Sequence, residues 1–142
     1  MIDARSRYVT DAVATVGPAR LLTMLYDRLL LDVDRAAEAL AAGDRAAGAS
    51  QLQHAQDIVA ELMSSLDERV WDGGAQLMEI YRYLFTALVD AAVRADPERV
   101  TECRAVIEPL RDAWHEAALA GAAPSPAPVV AATPGAGLLG VG

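Results

Sequence analysis

Leucine, valine, isoleucine and alanine recur at steps of three and four residues along four stretches of the chain. This spacing gathers them on one face of an α-helix, because three to four residues complete each helical turn. No stretch alternates apolar and polar residues in the period of two that is typical of a half-buried strand. The pattern therefore predicts four amphipathic helices and no sheet.

Capping and breaking residues delimit these helices. A proline suits a first helical position, an aspartate caps a helix start, and a glycine stops a helix. In chain order the predicted boundary residues are Pro18, Gly43, Asp44, Asp67, Gly73, Gly74, Asp96 and Pro97. Pro109 lies inside the fourth helix, where we expect a kink and not a break, because the apolar spacing continues through Leu110 and Trp114.

The connections decide how the helices are arranged. Only a few residues join the first helix to the second and the third to the fourth, so the members of each pair run antiparallel. We predict an all-α, antiparallel up-down four-helix bundle at residues 18–119. A mobile N-terminal leader at 1–17 precedes it. A disordered tail at 120–142, rich in Ala, Pro and Gly and without charge beyond Gly121, follows it.

Charge and hydropathy exclude several classes of protein. The 142 residues include 20 acidic and 12 basic side chains, all of the latter Arg, for a net charge of −8. Nucleic-acid binding and attraction to an anionic membrane surface are both favoured by an excess of basic over acidic side chains, so neither is expected. The N-terminus has no apolar signal-peptide core, and no uninterrupted apolar run is long enough to span a bilayer. We expect a cytoplasmic protein without membrane insertion.

The residues that carry chemistry do not form a catalytic pattern. His54 and His115 lack the Glu-x-x-His spacing of di-iron bundles, and one cysteine with two distant histidines does not supply a zinc site. His54 could be the exposed histidine of a phosphotransfer bundle, but the residues that directly follow it (55–58) include no basic side chain to bind the phosphoryl group. Cys103 falls at a core position, which favours an inert buried thiol. We expect no enzyme activity, no metal and no cofactor.

Three of the helices carry more apolar residues than one stripe needs. The additional residues are Leu21, Leu30, Leu31, Ile58, Met63, Phe85, Val89 and Val93. They fit a wide apolar face that touches two neighbouring helices, and they also fit a groove for a partner's amphipathic helix. The spacing leaves both interpretations open.

Short motifs in the leader and in all four helices, in order, resemble the flagellin export chaperone family, FliS. They are Tyr8, the run 15–18 (Thr-Val-Gly-Pro), the run 24–27 (Met-Leu-Tyr-Asp), residues 55–67 of the second helix, the run 80–84 (Ile-Tyr-Arg-Tyr-Leu) and the run 110–114 (Leu-Arg-Asp-Ala-Trp). The resemblance covers residues 8 to 118 and implies a helical bundle without catalysis or cofactor.

The resemblance also implies partners. Proteins of this family bind the disordered C-terminal segment of flagellin, prevent its premature polymerisation in the cytosol, and deliver it to the membrane protein of the flagellar export gate. The alternative is a helical adaptor that binds an amphipathic helix of a non-flagellar partner.

Ten residues are the predicted partner contacts. Most combine a position in the resembling motifs with an apolar or aromatic side chain. They are Tyr8, Leu21, Met24, Leu25, Ile58, Leu62, Tyr81, Tyr83, Phe85 and Trp114. Tyr26, Tyr81 and Trp114 also fit core positions, whereas Tyr8 precedes the bundle and is poorly explained by core packing.

Overall fold

Four α-helices form within residues 18–69 and 72–120, the parts of the chain that the computed structural model describes. They are α1 (Pro18–Ala41), α2 (Arg45–Ser65), α3 (Gly74–Arg94) and α4 (Pro97–Leu119). No strand occurs in those ranges. The predicted all-α fold is confirmed. The predicted leader, the tail beyond Ala120 and Trp71 lie outside the described residues.

The turn between α1 and α2 follows the predicted signals. Gly43 has a φ of +82°, a left-handed conformation that glycine adopts without a steric penalty. The next residue, Asp44, accepts a hydrogen bond from the backbone N–H of Ala47 at 3.0 Å. This side chain satisfies one of the donors that a helix start leaves free, so the predicted N-cap is confirmed.

The turn between α3 and α4 is equally short. Ala95 closes α3 in a left-handed conformation with a φ of 50°, and Asp96 accepts a hydrogen bond from the N–H of Glu98 at 3.0 Å. Pro97 occupies the first turn of α4. The helix then continues through Pro109 to Leu119, so the prediction that this proline would not break it is confirmed.

The connection between α2 and α3 departs slightly from the prediction. Helix α2 ends at Ser65, because Leu66 adopts an extended backbone, two residues before the predicted end at Asp67. Gly74 begins α3 as predicted. A Cβ atom at Gly74 would lie 2.7 Å from the Cα of Glu68, so only glycine lets the connection pass so close to the helix start.

Each helix packs against two others. Helix α1 contacts α2 and α4, and α3 contacts the same two helices, so α1 and α3 lie diagonally opposite. Leu29, Leu52, Leu84 and Ile107, one from each helix, are fully buried in the shared core. Neighbouring helices around the core run in opposite directions, which is the arrangement that the short turns predicted.

Candidate partner-binding surface

Helix α1 presents apolar side chains outside the core. Met24 is 48% exposed and Leu31 is 39% exposed. Leu21 is half-buried on the preceding turn. These residues are separated by three and seven positions, so they follow one side of the helix. They form the α1 stripe.

Helix α3 carries a second such stripe. Phe85 is half-buried and packs against the core, Val89 is partly exposed, and Val93 is 73% exposed. Steps of four residues place the three on one side of the helix. They form the α3 stripe. Large exposed apolar side chains in a continuous row mark a surface that another molecule can cover.

Tyr83 belongs to a different side of α3. Its ring lies under the guanidinium of Arg99 of α4, 5.8 Å from the ring centroid. Arg99 also donates hydrogen bonds to Asp90 at 3.1 Å and to Glu102 at 2.6 Å. These contacts fix Tyr83 beside the α3–α4 boundary, although the residue remains 43% exposed.

The boundary between α1 and α4 is closed by ion pairs. Asp27 accepts hydrogen bonds from Arg111 Nε at 2.8 Å and from His115 Nε2 at 2.7 Å. Two turns further along α1, Asp34 accepts one from Arg104 Nε at 2.6 Å. Burial alone would raise the pKa of Asp27, but the hydrogen bonds from Arg111 and His115 lower it below its ordinary value.

A third polar cluster joins α1 to α2. The Asp32 carboxylate is fully buried and accepts hydrogen bonds from Arg28 Nε at 3.0 Å and from His54 Nδ1. A buried carboxylate needs such partners, because leaving it without them would be strongly unfavourable. His54, considered above as a phosphotransfer candidate, has a structural role in holding Asp32.

Two tyrosines and a tryptophan meet inside the bundle. The hydroxyl groups of Tyr26 and Tyr81 are hydrogen-bonded to each other, and the Trp114 ring stacks on Tyr26 with centroids 6.3 Å apart and an interplanar angle of 23°. Burial raises the pKa of both tyrosines above the ordinary value.

The ten predicted contact residues divide into four groups. Ile58, Leu62, Tyr81 and Trp114 lie in the core, where they shape the bundle and offer little surface to a partner. Leu21, Leu25 and Phe85 are half-buried, and Met24 and Tyr83 are exposed. Tyr8 lies outside the described residues.

The structure brings Leu21, Met24 and Leu25 together on α1, while Phe85 and Tyr83 occupy two different sides of α3. Sequence reasoning left Leu31, Val89 and Val93 out of the ten, although it had noted each as additional apolar surface. It also missed the arginines that flank the α1 stripe. These arginines lie three or four residues from the apolar side chains of the α1 stripe, and that spacing could have identified them from the sequence.

The groups suited to chemistry are structural in the described ranges. Cys103 is buried, and burial raises the pKa of its thiol to about 11, so it is not a thiolate near neutral pH. Within residues 18–69 and 72–120, no group of three His, Cys, Asp or Glu side chains is placed to hold a metal ion. None of the described helices is long and apolar enough to cross a membrane.

The described residues thus define a class of protein: an antiparallel four-helix bundle with exposed apolar stripes on two of its helices. The sequence profile of the flagellar protein FliS family matches residues 1–121. The chain belongs to this family of flagellar secretion chaperones.

Individual members of this family are similar in sequence to the chain over most of its length. The chain is 30% identical over 110 residues to the flagellar secretion chaperone FliS of Bacillus subtilis (strain 168), covering 78% of this chain and 82% of the relative. It is 32% identical over 113 residues to that of Escherichia coli (strain K12), covering 78% and 83%. Identity to that of Salmonella typhimurium is 29% over 110 residues, covering 76% and 82%.

Proposed function

We propose that this protein binds the disordered C-terminal segment of flagellin in the cytoplasm, prevents its premature polymerisation, and delivers it to the membrane protein of the flagellar export gate. Membership of a family of secretion chaperones supports a client protein, and the resemblance of the motifs supports flagellin as that client. The observation that carries the proposal is the pair of exposed apolar stripes on α1 and α3.

The geometry supports binding along the two stripes and not at the α1–α4 boundary. That boundary is occupied by the ion pairs of Asp27 and Asp34 with α4 arginines. Helices α1 and α3 are separated by α2, and each offers exposed apolar side chains. A client that folds into short amphipathic helices on the bundle can cover both stripes.

Coupled folding also suits a carrier that must release its client. Ordering a disordered segment consumes part of the gross interaction energy, about 2–5 kcal/mol, so a large contact area still gives reversible binding. Release at the export gate then needs no chemical step in this protein. We propose that it is not an enzyme and uses no cofactor. The net charge of −8 supports the absence of nucleic acid among its partners.

Calorimetry tests the proposal. The protein should bind full-length flagellin and a peptide of its C-terminal segment with a negative heat-capacity change, because apolar surface is buried. Flagellin that lacks this segment should not bind. Replacing Met24 and Val93 with Ser should weaken binding, whereas Ala105→Ser, at an exposed position of α4, serves as the matched control and should leave it unchanged.

Equal binding of intact and truncated flagellin would contradict the proposal. The same variants, expressed in cells that lack the chromosomal copy, should lower flagellin secretion in the order in which they weaken binding. A secretion defect without a binding defect would instead point to the adaptor alternative, in which another protein occupies the stripes.

A further inference from the structure

Arginine alternates with apolar side chains along the exposed side of α1. The row consists of Arg20, Met24, Arg28, Leu31 and Arg35, and all five residues are exposed. The steps between them are four, four, three and four, which keeps them on one side of the helix over roughly 22 Å. We call these residues the arginine row. It includes the two most exposed members of the α1 stripe.

Two of the three arginines in this row are not neutralised by an ion pair with a described residue. Most arginines of the described ranges, such as Arg104 and Arg111, are paired with a carboxylate. Within residues 18–69 and 72–120, Arg20 and Arg35 make no ion pair. Arg28 reaches Asp32, but its side chain remains 49% exposed. Two free cations beside exposed apolar side chains are notable in a chain whose net charge is −8.

The two ends of the row differ from its middle. His54 of α2 meets Asp32 of α1, so the side of α2 that carries His54 faces the middle of the row. Asp57 and Glu61 follow His54 at steps of three and four and extend the same side of α2. These carboxylates partly neutralise the potential from Arg28 towards the start of α1, and the exposed Glu38 does so beyond Arg35. The ends differ from the middle in that Arg20 and Arg35 have no ion-pair partner in the described ranges.

We propose that the arginine row binds an amphipathic helix of the client whose apolar face is flanked by carboxylates. This inference rests on the proposed function and names the chemistry of the client segment. Met24 and Leu31, seven residues apart, would contact the apolar face across two turns. Arg20 and Arg35 would pair with acidic side chains towards the two ends of that helix.

Charge complementarity is the argument for this occupant. Carboxylates outnumber arginines in the described ranges, and an acidic helix would be repelled where they cluster. The arginine row attracts it and fixes its position along α1, much as flanking charges fix the register of paired helices. Because the arginines are exposed, the attraction must weaken as salt is added.

The experiment measures the affinity of the full-length protein for the C-terminal flagellin peptide at low and high salt. Arg20→Gln and Arg35→Gln should each weaken binding about threefold at low salt, within the range for one exposed ion pair. Arg35→Glu should weaken it further, because repulsion replaces attraction. A peptide whose acidic residues are replaced by their amides should lose both the salt dependence and the sensitivity to Arg35→Glu.

Arg45→Glu is the matched control. Arg45 is exposed at the first position of α2, makes no ion pair with the described residues, and lies outside the row. The substitution changes the net charge by the same amount as Arg35→Glu and should leave the affinity unchanged. Thermal unfolding of all variants should be close to that of the unmodified protein, since neither Arg35 nor Arg45 has an ion-pair partner in the described ranges to lose.

The outcomes separate this inference from the proposed function. If the unmodified protein does not bind the peptide, the proposed function fails and the inference fails with it. If it binds the peptide but Arg35→Glu and Arg45→Glu change the affinity equally, or if salt does not change the affinity, only the inference is overturned. Normal peptide binding by Arg35→Glu with reduced secretion would also overturn it, because the row would then serve a partner other than the client.

Discussion

The hydroxyl groups of Tyr26 and Tyr81 lie 2.6 Å apart and form a buried hydrogen bond between α1 and α3, the two helices that are diagonally opposite in the bundle. Trp114 of α4 stacks on the Tyr26 ring, so three helices meet in this cluster. One hydroxyl donates and the other accepts, so each of the two buried polar groups has a hydrogen-bond partner. This pair ties together helices that otherwise share little contact.

Tyr81→Phe should destabilise the protein by about 1–3 kcal/mol, because the buried hydroxyl of Tyr26 loses its Tyr81 partner. Urea denaturation at neutral pH measures the change in the free energy of unfolding. Tyr83→Phe is the matched control: its hydroxyl is exposed, and its one hydrogen bond to a described residue is a long one of 3.5 Å from Arg99. This control should change the stability by less than about 0.5 kcal/mol.

The double variant Tyr26→Phe/Tyr81→Phe completes the test. In the double variant no buried hydroxyl remains that has lost its tyrosine partner. The loss of stability should therefore be smaller than the sum of the two single losses by at least about 0.5 kcal/mol. Strictly additive single effects would show that the two hydroxyls do not interact in solution.

Stability should also fall at alkaline pH. Burial raises the pKa of Tyr26 and Tyr81 above the ordinary value of 10.0, and it raises the pKa of Cys103 from 9.0 to about 11. The unfolded chain therefore releases these protons at lower pH than the folded chain, and the folded state binds more protons above about pH 9. The stabilisation is complete below that pH and is lost progressively as the pH rises.

Urea midpoints recorded between about pH 8 and pH 11 check this expectation. The Tyr26→Phe/Tyr81→Phe variant should show a shallower decline, because two of the three groups no longer titrate. A midpoint that is constant over this range, or that rises with pH, would contradict the burial of these groups.

The local signals of the sequence were sufficient for the fold. Asp44 and Asp96 cap their helices in the way their positions predicted, because a cap depends on residues only a few places apart. The direction of the helices followed from the short turns. The end of α2 was misplaced by two residues, since no glycine marks it and its last turn is set by the extended backbone of Leu66.

The same local signals did not separate core from surface among the aromatic residues. Tyr81 and Tyr83 are two positions apart in one motif, yet the first is buried against Tyr26 and the second is exposed beneath Arg99. Which side of α3 meets a neighbour depends on how four helices pack, and spacing along one helix does not specify that. The Asp27–Arg111 pair joins residues 84 positions apart, so helical periodicity does not reveal it.

Acid should weaken the contact between α1 and α4. The hydrogen bonds from Arg111 and His115 outweigh burial and lower the pKa of Asp27 below its ordinary value of 3.8. A depressed pKa gives stability that is present above the unfolded value and is lost as the pH falls through the folded one. The side chain of Asp27 is 45% exposed, so solvent screening limits the contribution to less than about 1 kcal/mol.

Asp27→Asn provides the measurement. This variant keeps a hydrogen-bond acceptor but cannot carry charge, so its stability should depend less on pH below about pH 5 than that of the unmodified protein. Asp112→Asn, at a more exposed carboxylate that touches Arg111, serves as the control and should have a smaller effect. Identical pH profiles for Asp27→Asn and the unmodified protein would show that the Asp27 contacts contribute nothing to stability.

Gly48 of α2 lies against the side chain of Leu40 of α1. A Cβ atom at this position would lie 2.8 Å from Cγ of Leu40, a side chain of the core, and would overlap its Cδ2. Alanine is favoured over glycine by up to about 1 kcal/mol inside a helix, but forcing a methyl group into this contact costs about 1–3 kcal/mol. We therefore expect Gly48→Ala to destabilise the protein by roughly 1 kcal/mol, measured by urea denaturation.

The sign of that effect should reverse when Leu40 is shortened. In a Leu40→Ala background the atoms that the new methyl group would strike are absent, so Gly48→Ala should gain the helical preference of alanine and fill part of the space left by leucine. The substitution should then stabilise the protein by up to about 1 kcal/mol. If Gly48→Ala already stabilises the unmodified protein, the two helices are not held at the distance that the contact with Leu40 requires, and the glycine is not needed for their close packing.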